Sequence, residues 1–337
     1  MSEASGKMSF GNGIPDSKLR TEYTSVSITP PDSPAHACKI ALPRNAESAA
    51  EIQPEKIKAG LLTVMSGFFL PPDGLVQVSG TILPYEINLV DWLDFETQRR
   101  GGKLQALESV VGENGQVVHA TGSRPDGSHQ RLLVRNNGKN VLLLAGQVPA
   151  GGEPLTREKL GLAAASLELL LPLHQKLLEP LRQWRDAGGR YQFSYPSSWS
   201  ARALAPPQTS MSAVDIRIAD ERDTIAYVRV ECDQAAPTGS DGAAMLKQHL
   251  SEELKQAGVV IGAFESLGAL SAKPKLERFV TTCKLPAGEG FVAMATEPSN
   301  AGWFGIVLIC PGREINPLAW MRGKRAFEII TATLSEG

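Results

Sequence analysis

The sequence has no run of about 18 apolar residues, the length a membrane-spanning helix needs. Its longest candidate, Gly302 to Cys310, is strand-sized. The opening residues, MSEASGKMSFGNGIPDSKLR, lack the apolar stretch of a secretory signal. Together these absences predict a cytoplasmic chain without membrane insertion. There is no excess of charge: the formal net charge is -2, which leaves no field to recruit a polyanion and argues against nucleic acid as a partner. The four cysteines, Cys38, Cys232, Cys283 and Cys310, show no C-x-x-C spacing. Neither a zinc knuckle nor a thioredoxin-type pair is indicated, and reduced thiols are expected.

Catalytic strings are missing as well: no G-x-S-x-G, H-E-x-x-H, P-loop or dinucleotide fingerprint occurs. Five histidines remain to supply a triad from dispersed residues. His119 and His129 flank the turn signal SRPDG and, with Asp126, would imitate a metal cluster. Their nine-residue spacing is not a standard ligand spacing, so structural or solvent-facing roles are expected. His249 sits between Leu246 and Leu250 on a helical pattern; His36 and His174 fall in a loop and a linker without a recognisable carboxylate neighbour. Two acidic stretches, Asp91, Asp94 and Glu96, and Asp220, Glu221 and Asp223, have the form of solvated faces. The string QRRGGK from Gln98 to Lys103 suits an anion, but a charged helix end accounts for it equally. No catalytic, cofactor-binding or metal-ligating residue is assigned, no cofactor is expected, and the chain is not expected to be an enzyme.

What is present is pattern. A chain of 337 residues with 42% hydrophobic residues can build two cores. Polar, Ser- and Gly-rich residues 1–22 predict a flexible tail. Alternation then predicts an edge-lying strand in YTSVSIT, followed by strands in CKIALP, LLTVMSGFFL and LVQVSGTIL. Leu89, Trp92, Leu93 and Glu96 fall at helical spacing, with basic Arg99 and Arg100 before Gly101 as a stop. Next come strand-like ALESVV, a hairpin over QRLLVRNNGKNVLLLAG with a tight NNG turn, and a helix through REKLGLAAASLELLL.

The same order recurs after residue 190: YQFSYPSSW, a hairpin over DIRIADERDTIAYVRVEC, a helix with Leu246, Leu250 and Leu254 on one face, three strands and a closing helix over 316–334. Ala106-Leu107-Glu108-Ser109-Val110 matches Ala263-Phe264-Glu265-Ser266-Leu267, each beginning five residues after a helix-ending glycine. Shared text at the same point in two series predicts duplication. Leu173, Leu177, Leu181 and Trp184 share a helical face between the copies, with Pro180 interrupting it and Gly188-Gly189 marking a boundary. The expected organisation is a tail over 1–22, a first domain over 23–172, a linker helix over 173–190 and a second domain over 191–337. Antiparallel hairpins with long connections give an α+β class, a twisted antiparallel sheet with helices packed on it, formed twice.

At YQFSYPSSW, through Phe193, Tyr195, Pro196 and Trp199, the second copy resembles the PsbP-like family, also called the Mog family. The first copy has Leu42 and Pro43 but no tryptophan there. The resemblance implies two tandem α/β/α sandwiches. It also implies action by binding, because the family spans photosystem subunits, bacterial lipoproteins and Eag-type chaperones that load type VI secretion effectors. The expectation is a cytosolic protein-binding module, a chaperone or adaptor for a secretion-system effector, with the tandem domains as an intramolecular pseudo-dimer. A scaffold subunit of a multiprotein complex and an unrecognised hydrolase are the alternatives. The partner is expected to be another protein offering an apolar or strand-like segment. Phe68, Phe69 and Leu70, beside the Pro71-Pro72 turn, are the candidate partner-binding residues.

Overall fold

The computed structural model describes residues 21–49, 56–112, 115–204, 211–219, 224–233, 242–256, 258–300 and 302–337. The expected tail falls outside them except for Thr21 and Glu22, as does the acidic turn of Asp220, Glu221 and Asp223. The chain divides into two compact units, Met1–Pro84 with Asn88–Leu178, and Tyr85–Ile87 with Glu179–Gly337.

The first unit runs β1 (Tyr23–Ile28), β2 (Cys38–Pro43), β3 (Glu47–Ser48), β4 (Thr63–Leu70), β5 (Gly74–Ile82), α1 (Leu89–Arg99), β6 (Lys103–Gly112), β7 (Gly115–Ser123), β8 (His129–Asn137), β9 (Asn140–Val148), α2 (Pro154–Ala165) and β10 (Glu168–Leu169). A seven-stranded antiparallel sheet has the order β3-β4-β5-β9-β8-β7-β6, and a small one the order β1-β2-β10. Alternation along the strands sends successive side chains to opposite faces. Val76, Val78, Leu142 and Leu144 pack with Leu160, Ala163 and Ala164 of α2 and with Cys38, Ile40 and Leu42 of the small sheet. Leu75, Leu132 and Leu143 turn the other way, towards Leu93 of α1. The result is a helix, sheet, helix sandwich.

Local signals explain the helix ends. Asn88 Oδ1 accepts the Val90 amide at 3.0 Å, capping α1. At its other end the Gly102 amide returns to Thr97 O at 2.9 Å, with Gly101 at φ +75° supplying the left-handed turn. The helix expected over REKLGLAAASLELLL begins earlier and stops at Ala165. There Ser166 Oγ donates to Ala163 O at 2.9 Å and accepts the Ala41 amide at 2.8 Å, so the chain leaves the helix and Glu168–Leu169 joins β2 as a strand.

The second unit runs β11 (Leu181–Arg185), β12 (Tyr191–Pro196), β13 (Ser200–Leu204), β14 (Met211–Ala219), β15 (Thr224–Asp233), α3 (Gly242–Gln256), β16 (Val260–Ile261), β17 (Glu265–Ser266), β18 (Glu277–Leu285), β19 (Gly288–Ser299), β20 (Gly302–Pro311), α4 (Pro317–Thr333) and β21 (Ser335–Glu336). Its large sheet has the order β13-β14-β15-β20-β19-β18-β16, with β17 also on β18, and its small sheet the order β11-β12-β21. Element for element this is the strand order of the first unit. Leu250 and Leu254 of α3 cover one face, against Met294 and Val307. On the other, Phe327 and Ile330 of α4 join Tyr191, Phe193 and Trp199 over Val228, Ile306 and Leu308.

The linker helix predicted for 173–190 does not form. Residues 172–180, bounded by Pro172 and Pro180, carry no helix or strand, and Leu181–Arg185 is an edge strand paired with β12 from Leu181↔Pro196 to Arg185↔Gln192. Proline removes the amide a helix needs and biases the preceding residue to extended backbone. Gly188-Gly189 is accordingly a hairpin turn inside the second unit, pinned by Asp186, which accepts from the Gly188 amide at 3.1 Å and from Arg190 Nε at 2.7 Å. The units divide instead between Leu178 and Glu179.

Candidate protein-binding edge

The chain enters β6 directly from the glycine turn that ends α1. Sequence KLQALESVVG supplies leucine and paired valines, which suit a pleated strand. It pairs with β7 from Lys103↔Ser123 to Gly112↔Gly115, with one irregularity between Leu104 and Ala106. A Cβ at Gly122 would lie 2.7 Å from Lys103 O, so the close approach of the two backbones there depends on glycine. On its outer side β6 has no neighbouring strand among the described residues. Leu107 is 40% exposed and Val111 67% exposed. A long outermost strand with exposed apolar side chains is a template for pairing with another chain.

The corresponding edge of the second unit is built differently. Two strands of two residues, β16 and β17, take the place of β6 against β18. The chain then turns away after Leu267, where Arg278 donates to Gly268 O at 3.1 Å. An open groove of about 500 Å³ lies at its start, lined by Val260, Ile261, Cys283 and Leu285 among others.

Of the residues singled out from sequence, Leu70 is fully buried and Phe68 half-buried against the aliphatic core, so among the three only Phe69, 52% exposed, is open to a partner. His119 and His129 do not come together: His129 sits at the β7–β8 hairpin end opposite Ser123, whereas His119 is buried further along β7 opposite Leu133. There Arg131 Nε donates to His119 Nε2 at 2.7 Å, and burial, helped by that guanidinium, pushes the His119 pKa down to about 4. Asp126 instead accepts the Ser128 amide within the turn. His36 is also buried; its Nε2 donates to Thr81 O at 2.9 Å while Nδ1 accepts from Ser33 Oγ, and burial lowers its pKa. His249 is a helix-surface residue 3.5 Å from Glu253, and His174 adopts φ 51°. Asp94 accepts from Gln98 at the surface, but Glu96, read from sequence as part of a solvated face, is buried, because it turns back to pair with Arg99 at 2.8 Å and Arg100 at 3.8 Å at the helix end. Among the described residues no group of three or more His, Cys, Asp or Glu could hold a metal ion, and no helix is long and apolar enough to cross a membrane.

Two carboxylate clusters escaped sequence reasoning because their members are far apart in the chain. Within the second unit, Glu86 and Glu179 accept each other's backbone amides, Glu179 Oε1 from Glu86 at 2.7 Å and Glu86 Oε2 from Glu179 at 3.4 Å. Arg325 Nε donates to Glu86 at 3.1 Å, and the Ser198 amide to Glu179 at 2.8 Å. Buried Asp215 takes Arg217 on one oxygen and Arg229 Nε, at 2.9 Å, on the other, while Arg229 Nη1 reaches Glu253 at 3.2 Å. Glu231 beside it is raised in pKa by burial, against the opposing pull of Arg229. The cavity at this cluster is only about 10 Å³. Both clusters satisfy their carboxylates with protein donors, which is the arrangement of a fastening.

No protein-family model matches the sequence, and no curated protein matches it. Solved structures with a similar fold include a cyanobacterial PsbP from Synechocystis, with 9% identity and a TM-score of 0.33 over 47% of this chain and 92% of that one. Protein Mog1 gives 12% identity and a TM-score of 0.31 over 46% of this chain and 95% of that one. The T6SS immunity protein TplEi of Pseudomonas aeruginosa, complexed with a peptide denoted L, gives 12% identity and a TM-score of 0.23 over 93% of this chain and 98% of that one. At TM-scores of this size the likenesses set no function for this chain.

Proposed function

We propose that this chain is a non-catalytic protein-binding module that takes an extended polypeptide segment along β6 by strand addition. The observation that carries this reading is a ten-residue strand that is outermost among the described residues and has Leu107 and Val111 exposed. Main-chain hydrogen bonds along such an edge supply affinity, and alternate side chains supply selectivity. The matching strand orders of the two units support duplication of one ancestral unit, after which one edge stayed continuous and the other broke up. The finer role is that of a chaperone or adaptor for a secretion-system effector, working without a cofactor in the cytoplasm. It follows from the resemblance at Phe193, Tyr195, Pro196 and Trp199.

A fluorescently labelled peptide of alternating valine and threonine, titrated with the protein, tests the pairing. Binding is expected, and Val111→Lys should weaken it severalfold by placing a charge on the edge. Equal binding by the wild type and by the Val111→Lys and Leu107→Lys variants would refute the site.

A further inference from the structure

The sequence of β6 restricts what pairs there. Between the irregularity at Leu104 and Ala106 and the closing pair Gly112↔Gly115, the regular strand is Ala106–Gly112. Residues opposed across an antiparallel pair share a face. Two copies of one strand therefore pair about a two-fold axis only where one residue opposes itself.

An axis at Leu107 would bring the irregular part of the strand into the pairing. An axis at Glu108 would set that carboxylate against its own copy, which is unfavourable. An axis at Val110 would leave only a short overlap. With the axis at Ser109 the whole regular stretch is used: Ala106 meets Gly112, Leu107 meets Val111, and Glu108 meets Val110, each twice. The two large apolar side chains exposed on this strand, Leu107 and Val111, stand two residues either side of Ser109 and so cover one another. No like charges face each other.

We infer that the polypeptide taken by this edge is a second copy of the chain, paired antiparallel through Ala106–Gly112 about Ser109. Such an interface is self-complementary, the same patch on both copies. It would join the two first-unit sheets into one continuous sheet. This inference rests on β6 being a pairing edge and names its occupant.

Disulfide trapping reads the register directly, because opposed Cα atoms in such a pair lie roughly 4.5–5.5 Å apart, within disulfide reach. All four native cysteines are buried, so new surface thiols dominate the reaction. Ser109→Cys should give a covalent dimer under mild oxidation. Leu107→Cys and Val111→Cys should each stay monomeric alone and crosslink when mixed. Sedimentation should give twice the chain mass for the wild type and the single chain mass for Val111→Lys, whose site is solvent-exposed. No trapping at Ser109, efficient trapping of Leu107→Cys alone, or an unchanged mass for Val111→Lys would overturn the inference. A monomeric wild type that still binds the alternating peptide at β6 would overturn the self-pairing and leave the proposed function standing. Loss of both would remove the two together.

Discussion

The two units share a topology and differ in what fills it. In the first, the middle strand of the small sheet buries Cys38, Ile40 and Leu42 ahead of Pro43; in the second, Tyr191, Phe193 and Tyr195 stand at the matching places ahead of Pro196, with the same alternation of buried and half-buried positions. The aromatic set stacks on itself, Tyr191 on Phe193 at 6.3 Å and edge-on to Phe304 at 5.8 Å. Where apolar side chains fall fixes this fold, and which ones they are is free to drift. The outer edges diverge further, from ten continuous residues in β6 to two pairs in β16 and β17. Both edges lend only half-buried residues to the core, so their lengths can differ without disturbing it.

The two cores should differ most under truncation of a central side chain. Phe193→Ala should cost the second unit about 3–5 kcal/mol and Ile40→Ala the first about 2–4 kcal/mol, since the larger side chain leaves the larger cavity. Hydrogen exchange resolved by unit measures both, and the reverse ranking would show that the aromatic filling is the looser one. Asp215→Ala should follow at about 2–3 kcal/mol, less than for a fully buried pair because Arg217 and Arg229 both reach solvent. Denaturant midpoints would show it.

In the first unit the comparable fastening is Asn137. Its side chain donates to Ala35 O and Leu171 O at 2.8 and 2.9 Å and accepts the Leu173 amide at 2.7 Å. Asn137→Ala should cost about 1–3 kcal/mol and raise exchange at Leu173. A further effect in the first unit is a pH dependence. His119 is held neutral in the fold, its pKa lowered from 6.5 to about 4. The folded state therefore binds fewer protons than the unfolded one across that window, and stability present above pH 6.5 is lost as pH falls towards 4. His119→Gln should flatten that slope in urea denaturation; an unchanged slope would assign it to other groups.

Much of the architecture was legible because periodicity and stop signals agreed. Leu246, Leu250 and Leu254 marked α3, and Arg99, Arg100 and Gly101 marked the end of α1. Strand β7 was not legible: GQVVHATGS has small residues where β6 comes close at Gly122, and its buried His119 reads as polar. The stripe of Leu173, Leu177, Leu181 and Trp184 misled because Pro180 does more than interrupt a helix there: with Pro172 it bounds a segment that carries no helix at all. Its real pairing, with β12, depends on a hairpin turn set by Asp186. At the candidate site the matching AlaLeuGluSerVal and AlaPheGluSerLeu segments were visible, but their place on sheet edges was not, because an outermost strand is defined by the neighbour it lacks. A second textual echo, Pro154-Leu155 and Pro317-Leu318 at the starts of α2 and α4, was available to support the duplication.

Hydrogen exchange at the edges themselves gives the most direct test, comparing the amides of 106–112 with those of 260–267 as protein concentration rises and as the alternating peptide is added. Growing protection is expected in β6 and none at β16 and β17. Unprotected β6 amides under both conditions, or equal protection at the two edges, would contradict pairing at β6.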